Sequence, residues 1–150
     1  MHHIHILGIS GTFMSGLALI AREAGFMVSG CDQKCYPPVS DLLQKKGINW
    51  LEGYEVNQDF LAADEIIVGN AMKRGYPIVE ALLNAKKRFS SGPEWLYKNI
   101  LFNKRVIAIS GTHGKTTTTC MIASILEKAG LCPGFLIGGV APAFETNARI

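Results

Sequence analysis

No stretch of this sequence reads as a membrane or export signal. Its longest apolar runs fall far short of the roughly 20 residues that a membrane span needs. The N-terminus, Met1-His2-His3-Ile4-His5-Ile6-Leu7, has neither a basic leader region nor a small-residue cleavage pattern. The net charge of +3 is spread along the chain and forms no basic stripe for nucleic acid. None of the four cysteines, Cys31, Cys35, Cys120 and Cys132, forms a C-x-x-C pair, and with so much apolar sequence a disulfide framework is not expected. The expectation is a cytoplasmic protein with reduced thiols and no nucleic-acid or membrane partner. His2, His3 and His5 suggest either a metal cluster or a strand with His3 and His5 on one side, and the strand is the reading adopted.

What is present is a repeated alternation of short apolar runs and helical segments. The 150 residues, 48% of them apolar, suffice for one ordinary domain or two small ones. Ile4 to Ile9 reads as a buried strand, followed by a Gly-rich turn, a helix from Met14 to Ala24 stopped by Gly25, and a strand from Phe26 to Cys31 that ends at Asp32. This is a βαβ unit. Further on, Val39 to Lys46 reads as a helix, Ile48 to Leu51 and Glu65 to Val68 as strands, and Pro77 to Ala85 as a helix with proline at a tolerated early position. Phe89 is read as the end of a short strand, and Gly92-Pro93 as the opening of a helix to Ile100. After Asn103-Lys104-Arg105 the plan restarts. Val106 to Ile109 is an expected strand, Thr116 to Lys128 a helix and Phe135 to Ile137 a strand, with Gly138-Gly139 and Ala141-Pro142-Ala143 as loop. The expected boundary lies at 102–104, giving units 1–102 and 103–150. The second unit is too short to cover its own sheet face, so it reads as a truncated piece that is poorly ordered or shielded by crystal or dimer contacts.

Two glycine-rich turns carry the chemistry. Gly111-Thr112-His113-Gly114-Lys115-Thr116-Thr117 follows the expected strand and opens a helix, as a phosphate-binding loop must. Glycines let backbone N–H groups turn toward phosphate oxygens, and the helix dipole favours the same anion. Lys115 is the expected charge on the β- and γ-phosphates of ATP, and the Thr116 hydroxyl the expected Mg²⁺ ligand. The full G-x-x-x-x-G-K-[ST] pattern asks for glycine where Ile109 stands, so this is a shorter form of the loop.

The other turn contains Gly8, Gly11 and Gly16, with Asp32 at the end of the next strand, where a dinucleotide fold places a ribose-binding acid. NAD is disfavoured, because G-x-G-x-x-G needs glycine where Ser10 and Phe13 stand. A ligand-free tight turn and a plain loop acid remain alternatives. The reading adopted is a diphosphate site for another nucleotide.

Together the two loops resemble those of the Mur ligases, in which the short loop lacking the first glycine is the rule. The resemblance extends over Gly8 to Gly16, Tyr36 to Ser40, Gly69-Asn70-Ala71-Met72, Gly92 to Leu96 and Pro133 to Gly139. It implies an α/β fold: a Rossmann-like, parallel-sheet domain for a UDP-sugar, then the start of a P-loop ATPase domain, with a further domain for the incoming amine. It implies an ATP-dependent, amide-forming ligase of peptidoglycan metabolism that activates UDP-N-acetylmuramate as an acyl phosphate. The motifs lie nearer the branch that adds the tripeptide L-Ala-γ-D-Glu-meso-diaminopimelate, in peptidoglycan recycling, than the branch that adds L-alanine. By the same resemblance, Gly8, Ser10, Gly11, Thr12, Met14 and Ser15 hold the UDP diphosphate. Asp32, Asn70, Ala71 and Met72 line the uridine side, and Gly111 to Thr117 bind ATP. His113 matches the motif without a derivable role. The competing classes are an NAD-type oxidoreductase domain and a nucleotide-binding switch without bond-forming chemistry.

Overall fold

The strand His3–Leu7 (β1) is buried along its whole length, and its alternating side chains feed two separate cores. Ile4 and Ile6 join Leu17, Ala21, Leu43 and Trp95 on one face, whereas Leu7 joins Phe60, Ile66, Ile78 and Leu82 on the other. A strand covered on both faces is the mark of a sheet with helices on either side. A computed structural model of the chain describes residues 1–141 and 143–150. In it β1 is the centre of a parallel sheet completed by Met27–Asp32 (β2), Asn49–Glu52 (β3), Glu65–Val68 (β4) and Phe89–Ser91 (β5), in the order β3-β2-β1-β4-β5. The order reverses direction between β1 and β4, as in doubly wound Rossmann-like sheets.

Helices Thr12–Glu23 (α1), Val39–Lys45 (α2) and Gly92–Leu96 (α5) pack on the Ile4/Ile6 face. Gln58–Ala62 (α3) and Pro77–Asn84 (α4) cover the other. α5 runs directly into a wider helical turn over Tyr97–Leu101. The first six strands and helices that the sequence suggests between residues 4 and 68 are present, with ends shifted by at most two residues. α3 has no counterpart in that reading. It is a single turn whose start is capped by Asn57, which accepts from the Phe60 N–H at 2.9 Å.

Beyond residue 103 the architecture departs from expectation. Val106–Ile109 is not a strand: it pairs with no segment among the described residues, and Val106 and Ile107 are 53% and 60% exposed. A β-branched run becomes a strand only where a neighbour accepts its ladder hydrogen bonds. Lys115–Lys128 (α6) forms as expected. Phe135–Ala141 (β6) then pairs antiparallel with Thr146–Arg149 (β7), so this unit is a hairpin and not a parallel βαβ crossover. Gly138 and Gly139 lie inside β6, at an irregularity in its register, and Ala141 ends it. Pro142 lies outside the described residues. The hairpin packs against the rest of this chain on both sides. One side seats on α1, where Leu136 and Ala148 crowd Gly16, and the other meets α6 through Ala123.

His3 and His5 do point the same way along β1. The Ser29 hydroxyl bridges them, 2.7 Å from His3 Nε2 and 2.8 Å from His5 Nδ1. His5 is fully buried against Phe60, its Nε2 without a partner among the described residues. Burial first, then the nearby His3 and Lys87, pulls its pKa down from 6.5 to about 4. Between those values the unfolded chain takes up a proton that the folded chain refuses. Stability therefore falls as pH drops through 6.5 and stops falling near 4. Urea unfolding at about pH 5 is expected to show roughly 2 kcal/mol less stability from this residue than at neutral pH. In His5→Gln that part of the pH dependence should vanish; an unchanged slope would show that other groups carry it.

Candidate functional site

The carboxyl ends of β1 and β4 meet at two glycines. After β1 the chain turns through Gly8, whose φ of +81° is a left-handed conformation that suits glycine. After β4 it turns at Gly69, where a Cβ would lie 2.6 Å from the Leu7 carbonyl oxygen. At Gly69 only a residue without a side chain allows the two turns to approach this closely. The result is a crevice at the reversal of strand order, the position at which open α/β sheets bind ligands. One wall is Gly8 to Thr12, with Gly11 and Thr12 exposed, and the other is Gly69 to Met72, with Asn70 and Ala71 exposed. The Met72 methyl lies 3.6 Å from the place of a Gly8 Cβ and packs into the core below.

The first turn is held open by backbone bonds and by one carboxylate. Gly8 and Ile9 both donate to the Cys31 carbonyl, at 2.8 and 3.2 Å. The Asp32 Oδ2 accepts from the Ser10 N–H at 2.9 Å and from the Ser10 hydroxyl at 2.5 Å. Its Oδ1 accepts from the Gln33 N–H at 2.7 Å and the Tyr54 hydroxyl at 2.8 Å. Asp32 is thus engaged with four protein donors and braces the turn. This is a different task from presenting a free carboxylate to a ribose. Tyr54 had no local signature in the sequence, since it lies 22 residues from Asp32 and stacks on Tyr76 at 4.7 Å. Burial, then the bond to Asp32, pushes its phenol above the ordinary value, so it remains a donor. Burial and Asp32 likewise push the Cys31 thiol up to about 12, and burial raises Cys35. Neither is a reactive thiolate at neutral pH.

α1 begins at this turn. Gly11 brings no side chain to cap it, and its first turn contains no acid, so its positive end and free amides face the crevice. Of the residues expected on the diphosphate, Gly8, Ser10, Gly11 and Thr12 line this mouth. Met14 and Ser15 do not. Met14 is buried between Gly11, Gly69 and Gly92, and Ser15 is buried with its hydroxyl donating to the Thr12 carbonyl at 3.1 Å. They support the turn from within. Gly16, one residue further, is a packing glycine: a Cβ there would fall 2.2 Å from Leu136 and 3.3 Å from the Ala148 methyl.

The second site stands at the start of α6. Gly111 and Gly114 have φ of +150° and +80°, and Gly114 begins the helix with no capping side chain to offer. Lys115 curls back over the loop, its Nζ donating to the carbonyls of Gly111 at 2.6 Å and Thr112 at 3.3 Å. Residues Gly111 to Thr118, His113 included, are exposed, and α6 has no acid in its first turn. The Thr119 hydroxyl is spent on the Lys115 carbonyl at 2.8 Å, whereas Thr116 faces Gly138 of β6. A flexible cation above an uncapped helix start is an arrangement suited to a polyphosphate.

The model of the Mur ligase family, catalytic domain, matches residues 3–103. The chain is 52% identical over 150 residues to the UDP-N-acetylmuramate–L-alanyl-γ-D-glutamyl-meso-2,6-diaminoheptandioate ligase of Haemophilus influenzae, covering all of this chain and 33% of that protein. It is 41% identical over 149 residues to the UDP-N-acetylmuramate–L-alanine ligase of Neisseria gonorrhoeae, covering 99% and 31%. The crystal structure of the corresponding tripeptide ligase from Neisseria meningitidis superposes with a TM-score of 0.96 at 55% identity, covering all of this chain and 47% of that one. The chain spans about a third of the length of the curated relatives it matches. On the match across residues 3–103, the chain belongs to the Mur ligase family.

Proposed function

We propose that this chain is the front part of an ATP-dependent ligase that joins L-Ala-γ-D-Glu-meso-diaminopimelate to UDP-N-acetylmuramate in the cytoplasm, returning cell-wall peptides to peptidoglycan synthesis. The carrying observation is that one chain presents two uncapped, acid-free helix starts behind glycine turns, one at the sheet's reversal point and one topped by Lys115. An enzyme that transfers phosphate from one nucleotide to a substrate carried on another needs two such sites. The tripeptide, not L-alanine, is favoured by 52% identity to the tripeptide ligase against 41% to the alanine ligase. We place the domain boundary at 102–104, with the UDP-sugar on residues 1–102 and ATP on 103–150.

In this reading the crevice between Gly8–Thr12 and Gly69–Met72 takes the UDP end. The α1 amides meet the diphosphate, Asn70 and Ala71 lie alongside the nucleoside, and Asp32 keeps Ser10 in place. The loop Gly111 to Thr117 holds ATP, with Lys115 on its terminal phosphates. The Thr116 hydroxyl, exposed at the helix start, fits one position of a Mg²⁺ ion that otherwise keeps water and phosphate oxygens. Bound there, the ion would neutralise charge on the phosphoryl group in transfer. The lactyl carboxylate attacks the γ-phosphorus and ADP leaves. The peptide amine then attacks the acyl phosphate carbon, phosphate leaves, and the amine gives up its proton.

The test is calorimetric titration with UDP-N-acetylmuramate, with NAD in parallel. Saturable binding of the sugar nucleotide, weakened about tenfold or more in Gly11→Val, supports the reading. Valine there would bring a branched side chain to within 3.4 Å of the Gly8 carbonyl at the mouth. Binding of NAD instead would move the chain to the oxidoreductases.

A further inference from the structure

The two nucleotide turns are joined by a physical bridge. Asn147 on β7 is 2% exposed, and its Nδ2 donates to the Thr12 carbonyl at 3.0 Å and approaches the Ser15 hydroxyl at 3.4 Å. These are the residues that turn the chain from the first loop into α1, 132 to 135 positions away in sequence. Its Oδ1 is buried without a partner among the described residues, so the amide is held at this seam at the cost of one unmade hydrogen bond. Antiparallel to β7 runs β6. Its Leu136 lies against Gly16 of α1, and two residues on, a side chain at Gly138 would come within 3.9 Å of the Thr116 hydroxyl of the second loop. The hairpin therefore touches the start of α1 at Thr12, Ser15 and Gly16, and packs on α6, the helix that the second loop opens, through Phe135, Ile137 and Ala141 around Ala123. Glycine at 16 is what lets Leu136 and Ala148 come this close to α1.

We propose that Asn147 is a positioning residue through which occupancy of the turn Gly8–Thr12 and occupancy of the loop Gly111–Thr117 become interdependent. The inference rests on the reading of these two turns as the UDP-sugar and ATP sites. A ligand that draws the Thr12 carbonyl or the α1 start by a few tenths of an ångström pulls on Asn147. The pull passes from β7 to β6 through their paired ends and on to α6 through the packing of Phe135, Ile137 and Ala141 on Ala123. By linkage the effect is reciprocal: a nucleotide on Lys115 and Thr116 alters affinity at the first turn by the same factor.

The test measures affinity for UDP-N-acetylmuramate by calorimetry with and without saturating non-hydrolysable ATP analogue and Mg²⁺, in the parent chain, in Asn147→Ala and in Leu136→Ala. The parent is expected to show a shift of about fivefold or more on adding the analogue, in the usual range of coupling between sites. In both variants the ratio should fall to near one while each nucleotide still binds alone. A merely structural residue would weaken binding yet leave that ratio intact. Should Asn147→Ala not fold, as judged by circular dichroism, Leu136→Ala carries the test without disturbing a polar group. Binding of both nucleotides with no coupling in the parent, or with coupling that survives the substitutions, overturns the proposal and leaves the site reading standing. Binding of neither nucleotide by the parent overturns both.

Discussion

Asp32→Ala is expected to lose about 3 kcal/mol of stability in urea unfolding, and with it most of the affinity for UDP-N-acetylmuramate. The carboxylate receives four donors, from the Ser10 N–H and hydroxyl, the Gln33 N–H and the Tyr54 hydroxyl. Hydrogen bonds to a charged acceptor are worth about 1.5–3 kcal/mol each, but Asp32 is only half-buried and water replaces some of them. Removing it leaves the half-buried Ser10 amide and the buried Tyr54 phenol to find new partners. Asp32→Asn keeps the shape but offers one acceptor oxygen and an NH₂, which confronts donors with a donor, so it should fall about midway. Tyr54→Phe separates bracing from direct contact. It leaves the turn untouched yet removes one of the bonds that fixes the carboxylate, so it should weaken sugar-nucleotide binding in the same direction by a smaller factor. Full affinity in Tyr54→Phe with none in Asp32→Ala would instead make Asp32 a direct ligand contact. A fully stable Asp32→Ala would remove the bracing account altogether.

How much of this was legible in the sequence depends on the range of the interactions. Glu65–Val68 was readable because a β-branched run bounded by turn residues has one good conformation, and Pro77 marked the first turn of α4. The Gly8–Asp32 unit was readable because strand, turn, helix and acid follow each other in order. What failed was non-local. Val106–Ile109 has strand chemistry but no partner among the described residues, and strand propensity is at root a preference for a paired surface. Gly138-Gly139 read as loop because glycine usually breaks strands, whereas here the pair lies inside β6 at an irregularity of its pairing. β7 was invisible: in four residues with Asn147 and Arg149 among them, no alternation can be seen, and the asparagine is buried because α1 supplies its acceptors.

The site divides in the same way. That Gly8, Ser10, Gly11, Thr12, Asn70 and Ala71 sit at one mouth, and that Lys115 stands at a helix start, was legible because glycine spacing and helix starts are local signals. Met14 and Ser15 were assigned to the ligand by position in a motif, and their burial shows that motif membership does not specify which way a side chain faces. Tyr54 and Asn147 had no signal, because each matters through a bond to a residue 22 or 135 positions away.

Lys115→Met is expected to abolish measurable ATP binding while leaving the fold and the first site unchanged. The side chain is exposed, and its two contacts are to carbonyls of its own loop, at Gly111 and Thr112. Losing such exposed contacts should change stability by no more than about 0.5 kcal/mol. With a polyphosphate in the loop the same ammonium is in reach of oxygens that carry full negative charge, and no other lysine or arginine lies within the stretch from Gly111 to Thr118. The loss of about two charge-assisted hydrogen bonds corresponds to a hundredfold or greater fall in affinity. Lys115→Arg should recover little of it, because a planar, five-donor guanidinium does not fit the space between two loop carbonyls that a compact ammonium spans. Displacement of a fluorescent ATP analogue checks this, with UDP-N-acetylmuramate titrated alone as the control. Affinity within about twofold of the parent in Lys115→Met would mean that the loop at 111–117 does not hold the nucleotide's phosphates. Parallel loss at both sites would mean that the substitution disturbs the hairpin between them, and the control tells those two results apart.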